Sequence, residues 1–92
     1  MHRLHNQAAL HACINDDLEA IQHLIPSLMS PNSRIENVRI GDRPYSTVPF
    51  LCVCSAYGSL QCFDYLIEKG ATTYFADLVK FKKLYFDIFQ FN

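Results

Sequence analysis

The stretch at residues 48–73, VPFLCVCSAYGSLQCFDYLIEKGATT, leaves the backbone few paths. A short apolar run at 50–56 meets Tyr57-Gly58-Ser59, a second run follows at 60–69, and Gly70 stands where a left-handed residue ends a helix. The pattern predicts two helices joined by a tight turn. Such a pair has an apolar side that it cannot bury alone, so the flanking sequence must supply a partner for it.

That partner has to come from a small chain. Ninety-two residues make one domain with a thin core. Eight Lys and Arg against nine Asp and Glu give a net charge of -1, so no global field draws the chain to nucleic acid or acidic lipid. Apolar residues make up 50% of the chain, but charge or polarity interrupts them everywhere, and no run is long enough to span a bilayer. The opening MHRLHNQAALHACIN has one Arg, no long apolar core and no cleavage signal, so a secretory leader is not expected.

Upstream, Ala8-Ala9-Leu10-His11-Ala12-Cys13 precedes Leu18-Glu19-Ala20-Ile21-Gln22-His23-Leu24-Ile25, in which Leu18, Ile21, Leu24 and Ile25 form an apolar stripe at helical spacing. Asp16 is the expected N-cap of this helix, Asp17 and Glu19 suit its positive end, and Pro26 limits it. The intervening turn reads as one residue shorter than the turn in the second pair. Between the pairs, Asn37-Val38-Arg39-Ile40 and Arg43-Pro44-Tyr45-Ser46 flank Gly41-Asp42, which predicts a β-hairpin with Gly first in a two-residue turn. Downstream, Tyr74, Leu78, Phe81, Tyr85 and Ile88 form a helical stripe, widened by Phe75, Val79, Phe86 and Phe89.

In its second helical pair the chain resembles an ankyrin repeat. Leu51, Gly58, Leu60, Phe63, Leu66, Ile67, Gly70 and Ala71 match that family's pattern in register, with Pro49 and Phe50 where it has Thr and Pro. The first pair is a worn copy in which His11 takes the place of the family's buried His, which hydrogen-bonds backbone in the adjoining turn. Leu18 and Leu60 lie 42 residues apart, against about 33 residues for an ankyrin unit, so the finger between the pairs is enlarged. The resemblance implies an all-α fold, a short ankyrin-type solenoid with an elongated hairpin finger. It would be a single domain over 1–92, with repeat one at about 6–29, finger 30–47, repeat two 48–73 and an aromatic C-terminal helix 74–92. That last segment reads equally as a cap or as half of a third repeat.

Cysteine and histidine invite other chemistry. Cys52, Cys54 and Cys62 with His11 or His23 contain zinc-type donors, but residues two apart on a helix point about 200° from each other. Cys13, Cys52, Cys54 and Cys62 are expected as free, buried thiols in a reducing compartment. Cys13 with a nearby His lacks the cleft and the orienting third group that a nucleophile needs. There is no phosphate-binding Gly-rich loop and no paired-carboxylate arrangement. Lys80, Lys82 and Lys83 are too diluted by Asp77 and Asp87 to form a basic patch.

The expectation is therefore a non-enzymatic, intracellular, cytoplasmic binding protein without metal or cofactor, the nucleus not excluded. Its partner is another protein, with no role for nucleic acid or membrane. The resemblance carries the contact positions: Tyr45, Ser46 and Val48 on the turn before the second inner helix, Ala56 and Tyr57 at its end, and Ile14 and Asn15 at the end of the first. Arg39 and Arg43 would steer and orient the partner, and Tyr45 and Tyr57 would anchor it. The competing expectation is a structural piece of a longer array, or a self-associating chain whose aromatic C-terminal helix makes a homodimer.

Overall fold

The computed structural model describes residues 3–73 and Asp77. Four helices and one hairpin follow in the order α1 (Arg3–Asn15), α2 (Leu18–Leu24), β1 (Arg34–Ile40), β2 (Arg43–Pro49), α3 (Phe50–Tyr57) and α4 (Leu60–Glu68). The anticipated aromatic helix at 74–92 lies, apart from Asp77, outside the described residues.

Both helical pairs are built by one local rule. In the second, Gly58 takes a left-handed φ of 83° and lets the Ser59 N–H donate back to the Cys54 carbonyl at 3.0 Å. In the first, Asp16 does the same at φ 51°, and the Asp17 N–H donates to the Ala12 carbonyl at 2.9 Å. This is the left-handed helix terminus that Gly usually supplies; Asp is among the few other residues that tolerate it. The equivalences 12/54, 16/58, 17/59 and 18/60 share one offset, so the two turns are equal in length and the expected one-residue shortening is corrected. His11 consequently falls opposite Val53 in the second pair, and it is exposed rather than buried. A third left-handed terminus closes α4, with Gly70 at φ 98° and the Ala71 N–H on the Leu66 carbonyl at 2.9 Å.

The all-α solenoid expectation is overturned. The described residues form a mixed α/β unit, with four helices and a two-stranded antiparallel sheet, and no solenoid is seen. The physical reason lies in the hairpin, which does not project as a finger but helps to close the core. Ile35, Val38 and Val48 are each at most 1% exposed and pack in one cluster with Phe50, Ile21 and Leu66. Its strands pair Ile35 with Val48 and Val38 with Tyr45.

Burying both Ile35 and Val38 contradicts simple strand alternation, because residues three apart point to opposite faces. Asn37 resolves it. Its φ of 56° turns the strand over between the two apolar residues, and the same register holds on either side of it, from Arg34 to Glu36 and from Val38 to Ile40. The Gly41-Asp42 turn forms as expected, with Gly41 at φ 65° and Ile40 paired to Arg43.

Side chains then weld the parts together. The Asn6 amide on α1 grips the Glu36 backbone twice, donating to its carbonyl at 3.0 Å and accepting from its N–H at 2.7 Å. An open strand edge is thereby occupied by a side chain. Asn32 acts likewise beyond α4, donating to the Gly70 carbonyl at 3.2 Å and accepting from the Thr72 N–H at 2.8 Å. The Tyr65 hydroxyl on α4 donates to the Ile25 carbonyl at the end of α2 at 2.8 Å.

Asp16 has a second role that corrects the expected cap. Asp17 is the N-cap of α2, accepting from the Ala20 N–H at 3.2 Å. Asp16 instead reaches the start of α4, where its carboxylate accepts from the Cys62 N–H at 2.9 Å and from the Gln61 N–H at 3.4 Å. Ser59, the N-cap residue of α4, makes no side-chain cap of its own helix, because its hydroxyl donates to the Cys13 carbonyl at the end of α1. The two turns thus exchange caps: the first supplies the acceptor for the second pair's outer helix, and the second supplies a donor to the first pair's inner helix.

Candidate functional site

The exposed ends of α1 and α3 and the rim of the hairpin carry most of the residues expected to meet a partner. On α1, Ile14 is 39% exposed, and the exposed Asn15 donates its amide to the His11 carbonyl at 3.0 Å. On α3, Ala56 is half-buried and Tyr57 is 36% exposed. The Tyr57 hydroxyl donates to the Arg39 carbonyl on β1 at 2.6 Å, which ties the helix end to the hairpin.

On the hairpin, Arg39, Arg43 and Ser46 are exposed and Tyr45 is half-buried against the core. The Arg39 guanidinium donates to the Asp42 carbonyl at 3.2 Å and braces the turn. Val48 departs from expectation: at 1% exposure it belongs to the core and offers nothing to a partner. Tyr45, Ser46 and Arg39 line one shallow cleft with Asn37 and Pro44. A second groove runs between α1 and β1, lined by Gln7, Leu10, His11 and Asn37 among others.

Leu10, His11 and Asn37 had no place in the expected surface. For Asn37 a signal does exist: apolar residues at 35 and 38 can share a face only if the strand turns over between them, and Asn is suited to the left-handed residue required. For His11 no repeat register supplies a signal, since it is exposed although its equivalent in the second pair, Val53, is fully buried.

The thiols sit beneath this surface. All four cysteines are free and buried. The Cys54 thiol donates to Cys13 Sγ at 3.6 Å; that contact, and then burial, raises its pKa well above the ordinary thiol value. Burial chiefly, with Cys13 nearby, also pushes the Cys62 thiol far up, and its S–H points to the Ala12 carbonyl at 3.7 Å. In the closed core both are held as neutral thiols, the unreactive form.

Among the described residues no group of three His, Cys, Asp or Glu side chains is placed to hold a metal ion. Among the same residues, no helix is long and apolar enough to cross a membrane. No protein-family model, no curated protein and no solved structure matches the chain.

Proposed function

We propose that the chain is a non-enzymatic protein-interaction module of the kind its ankyrin resemblance implies, docking another protein through the hairpin rim and the ends of α1 and α3. The observation that carries this reading is the Tyr57–Arg39 hydrogen bond of 2.6 Å. It ties the exposed end of α3 to β1, positions 18 residues apart in sequence, and so holds Tyr57 against the strand that carries Arg39. Tyrosine and arginine are the side chains on which interface energy concentrates. Four free buried thiols favour a reducing, intracellular setting for this module.

The test is capture by the immobilised chain, comparing wild type with an Ile14→Asp/Arg43→Glu variant. Both side chains are exposed, so the variant keeps its circular dichroism and melting temperature. The expected result is a reproducible partner, identified by mass spectrometry, that the variant loses and a Glu68→Ala control retains. Equal capture by all three chains, or no reproducible partner, overturns the reading.

A second reading, self-association, is favoured by one observation. Leu60 and Ile67 are 44% and 49% exposed, and at seven residues apart they share a face of α4. Light scattering with Leu60→Glu/Ile67→Glu decides it: self-association requires a dimer mass that the variant reduces to monomer. A monomer at all concentrations removes it.

A further inference from the structure

We propose that Cys13 and Cys54 form an oxidation site, at which hydrogen peroxide converts a buried thiol pair into a disulfide that staples α1 to α3. The argument is positional. Both side chains have 0% exposure, they come from two different helices, and their sulfurs are in contact at 3.6 Å. Bonded sulfurs stand about 2.05 Å apart, so closing the pair asks the two sulfurs to approach by about 1.5 Å.

The surroundings hold the pair in register. The Ser59 hydroxyl donates to the Cys13 carbonyl, and the Ser59 N–H donates to the carbonyl of Cys54 itself. One residue therefore grips the backbone of both cysteines. The remaining thiols are placed differently. Cys62 points at the Ala12 carbonyl, and Cys52 lies about 200° round α3 from Cys54.

The chemistry balances in two steps. Cys13 Sγ attacks one peroxide oxygen, the O–O bond breaks, and sulfenic acid and one water form as the thiol proton passes to the departing oxygen. Cys54 Sγ then displaces the sulfenic hydroxyl, the S–S bond forms, and the Cys54 proton leaves with that hydroxyl as a second water. Two electrons pass from the sulfurs to peroxide. Because both thiols are sealed in the core, the first step requires local opening of the α1–α3 contact, and the rate of oxidation follows that opening.

The test uses the full chain. It is treated with peroxide, denatured, alkylated with N-ethylmaleimide and weighed, and the cross-linked peptides are sequenced. The expected product has lost two hydrogens, keeps two alkylated cysteines at Cys52 and Cys62, and carries a Cys13–Cys54 link. Its urea midpoint rises and dithiothreitol restores the original value. Sub-denaturing urea speeds the reaction several-fold. Cys52→Ala and Cys62→Ala still form the link, whereas Cys54→Ala does not. A link involving Cys52 or Cys62, a disulfide between chains, or alkylation of all four cysteines after peroxide treatment overturns the proposal. The wild-type peptide map decides the matter even if an alanine variant fails to fold.

Discussion

Removing the Asp16 carboxylate should damage a helix that begins 44 residues further along the chain. Asp16 serves α4 by accepting from Cys62 and Gln61 and serves α1 by taking a left-handed φ of 51°. Losing an N-cap acceptor costs about 1 kcal/mol, and losing a negative charge at a helix N-terminus about 0.5 kcal/mol more. Placing Ala in the left-handed region adds about 1 kcal/mol, which Gly avoids. Asp16→Ala should therefore cost about 2.5 kcal/mol and Asp16→Gly about 1.5 kcal/mol, with Asp16→Asn, which keeps an acceptor and a tolerant backbone, near 0.5 kcal/mol. Urea denaturation reads these values directly. In a domain of this size 1 kcal/mol moves the melting temperature by roughly 4–8 °C. Hydrogen exchange supplies the local signature: the Cys62 amide should exchange faster in Asp16→Gly relative to amides of α2. If Asp16→Gly is more stable than wild type and the Cys62 amide exchanges no faster, relief of backbone strain is the whole effect and the exchanged caps contribute nothing.

Three further outcomes follow from buried or strained positions. The Ser55 hydroxyl is fully buried and has no hydrogen-bond partner among the described residues, so Ser55→Ala should stabilise the protein by about 1 kcal/mol in urea titration; destabilisation would mean the hydroxyl is satisfied. Asn37→Gly should be neutral or stabilising by up to about 1 kcal/mol, while Asn37→Val should cost about 1–2 kcal/mol, because a β-branched residue resists positive φ. The raised Cys54 and Cys62 pKa values set a pH dependence. Above the ordinary thiol value the unfolded chain loses protons that the folded chain keeps, so stability is full below about pH 8.5 and falls above it by up to about 1.4 kcal/mol per pH unit per thiol. A flat stability profile from pH 7 to 10 would contradict this.

Much of the local structure is legible in the sequence, because left-handed residues announce themselves where they are glycine. Gly58 and Gly70 mark the ends of α3 and α4, and Gly41-Asp42 marks the hairpin turn. Where Asp16 does the same work the signal disappears into ordinary polar sequence, and for Asn37 it survives only indirectly, in the spacing of Ile35 and Val38. Asp16 then reads as a local cap, since capping rules look three residues ahead and its real acceptor role lies 46 residues away. Asn37 hides the common buried face of Ile35 and Val38, and with it the reason the hairpin joins the core. At the candidate surface, residue types are legible but exposure is not. Val48 follows the exposed Ser46 and Thr47, and its pairing with Ile35 shows that it faces inward.

The docking claim is tested most directly by hydrogen–deuterium exchange on the chain with and without its captured partner. Protection should appear at residues 39–46, at Ile14 and Asn15, and at Ala56 and Tyr57, with α2 and α4 unchanged. Protection confined to α2 and α4 would place the partner on the opposite side and contradict the account.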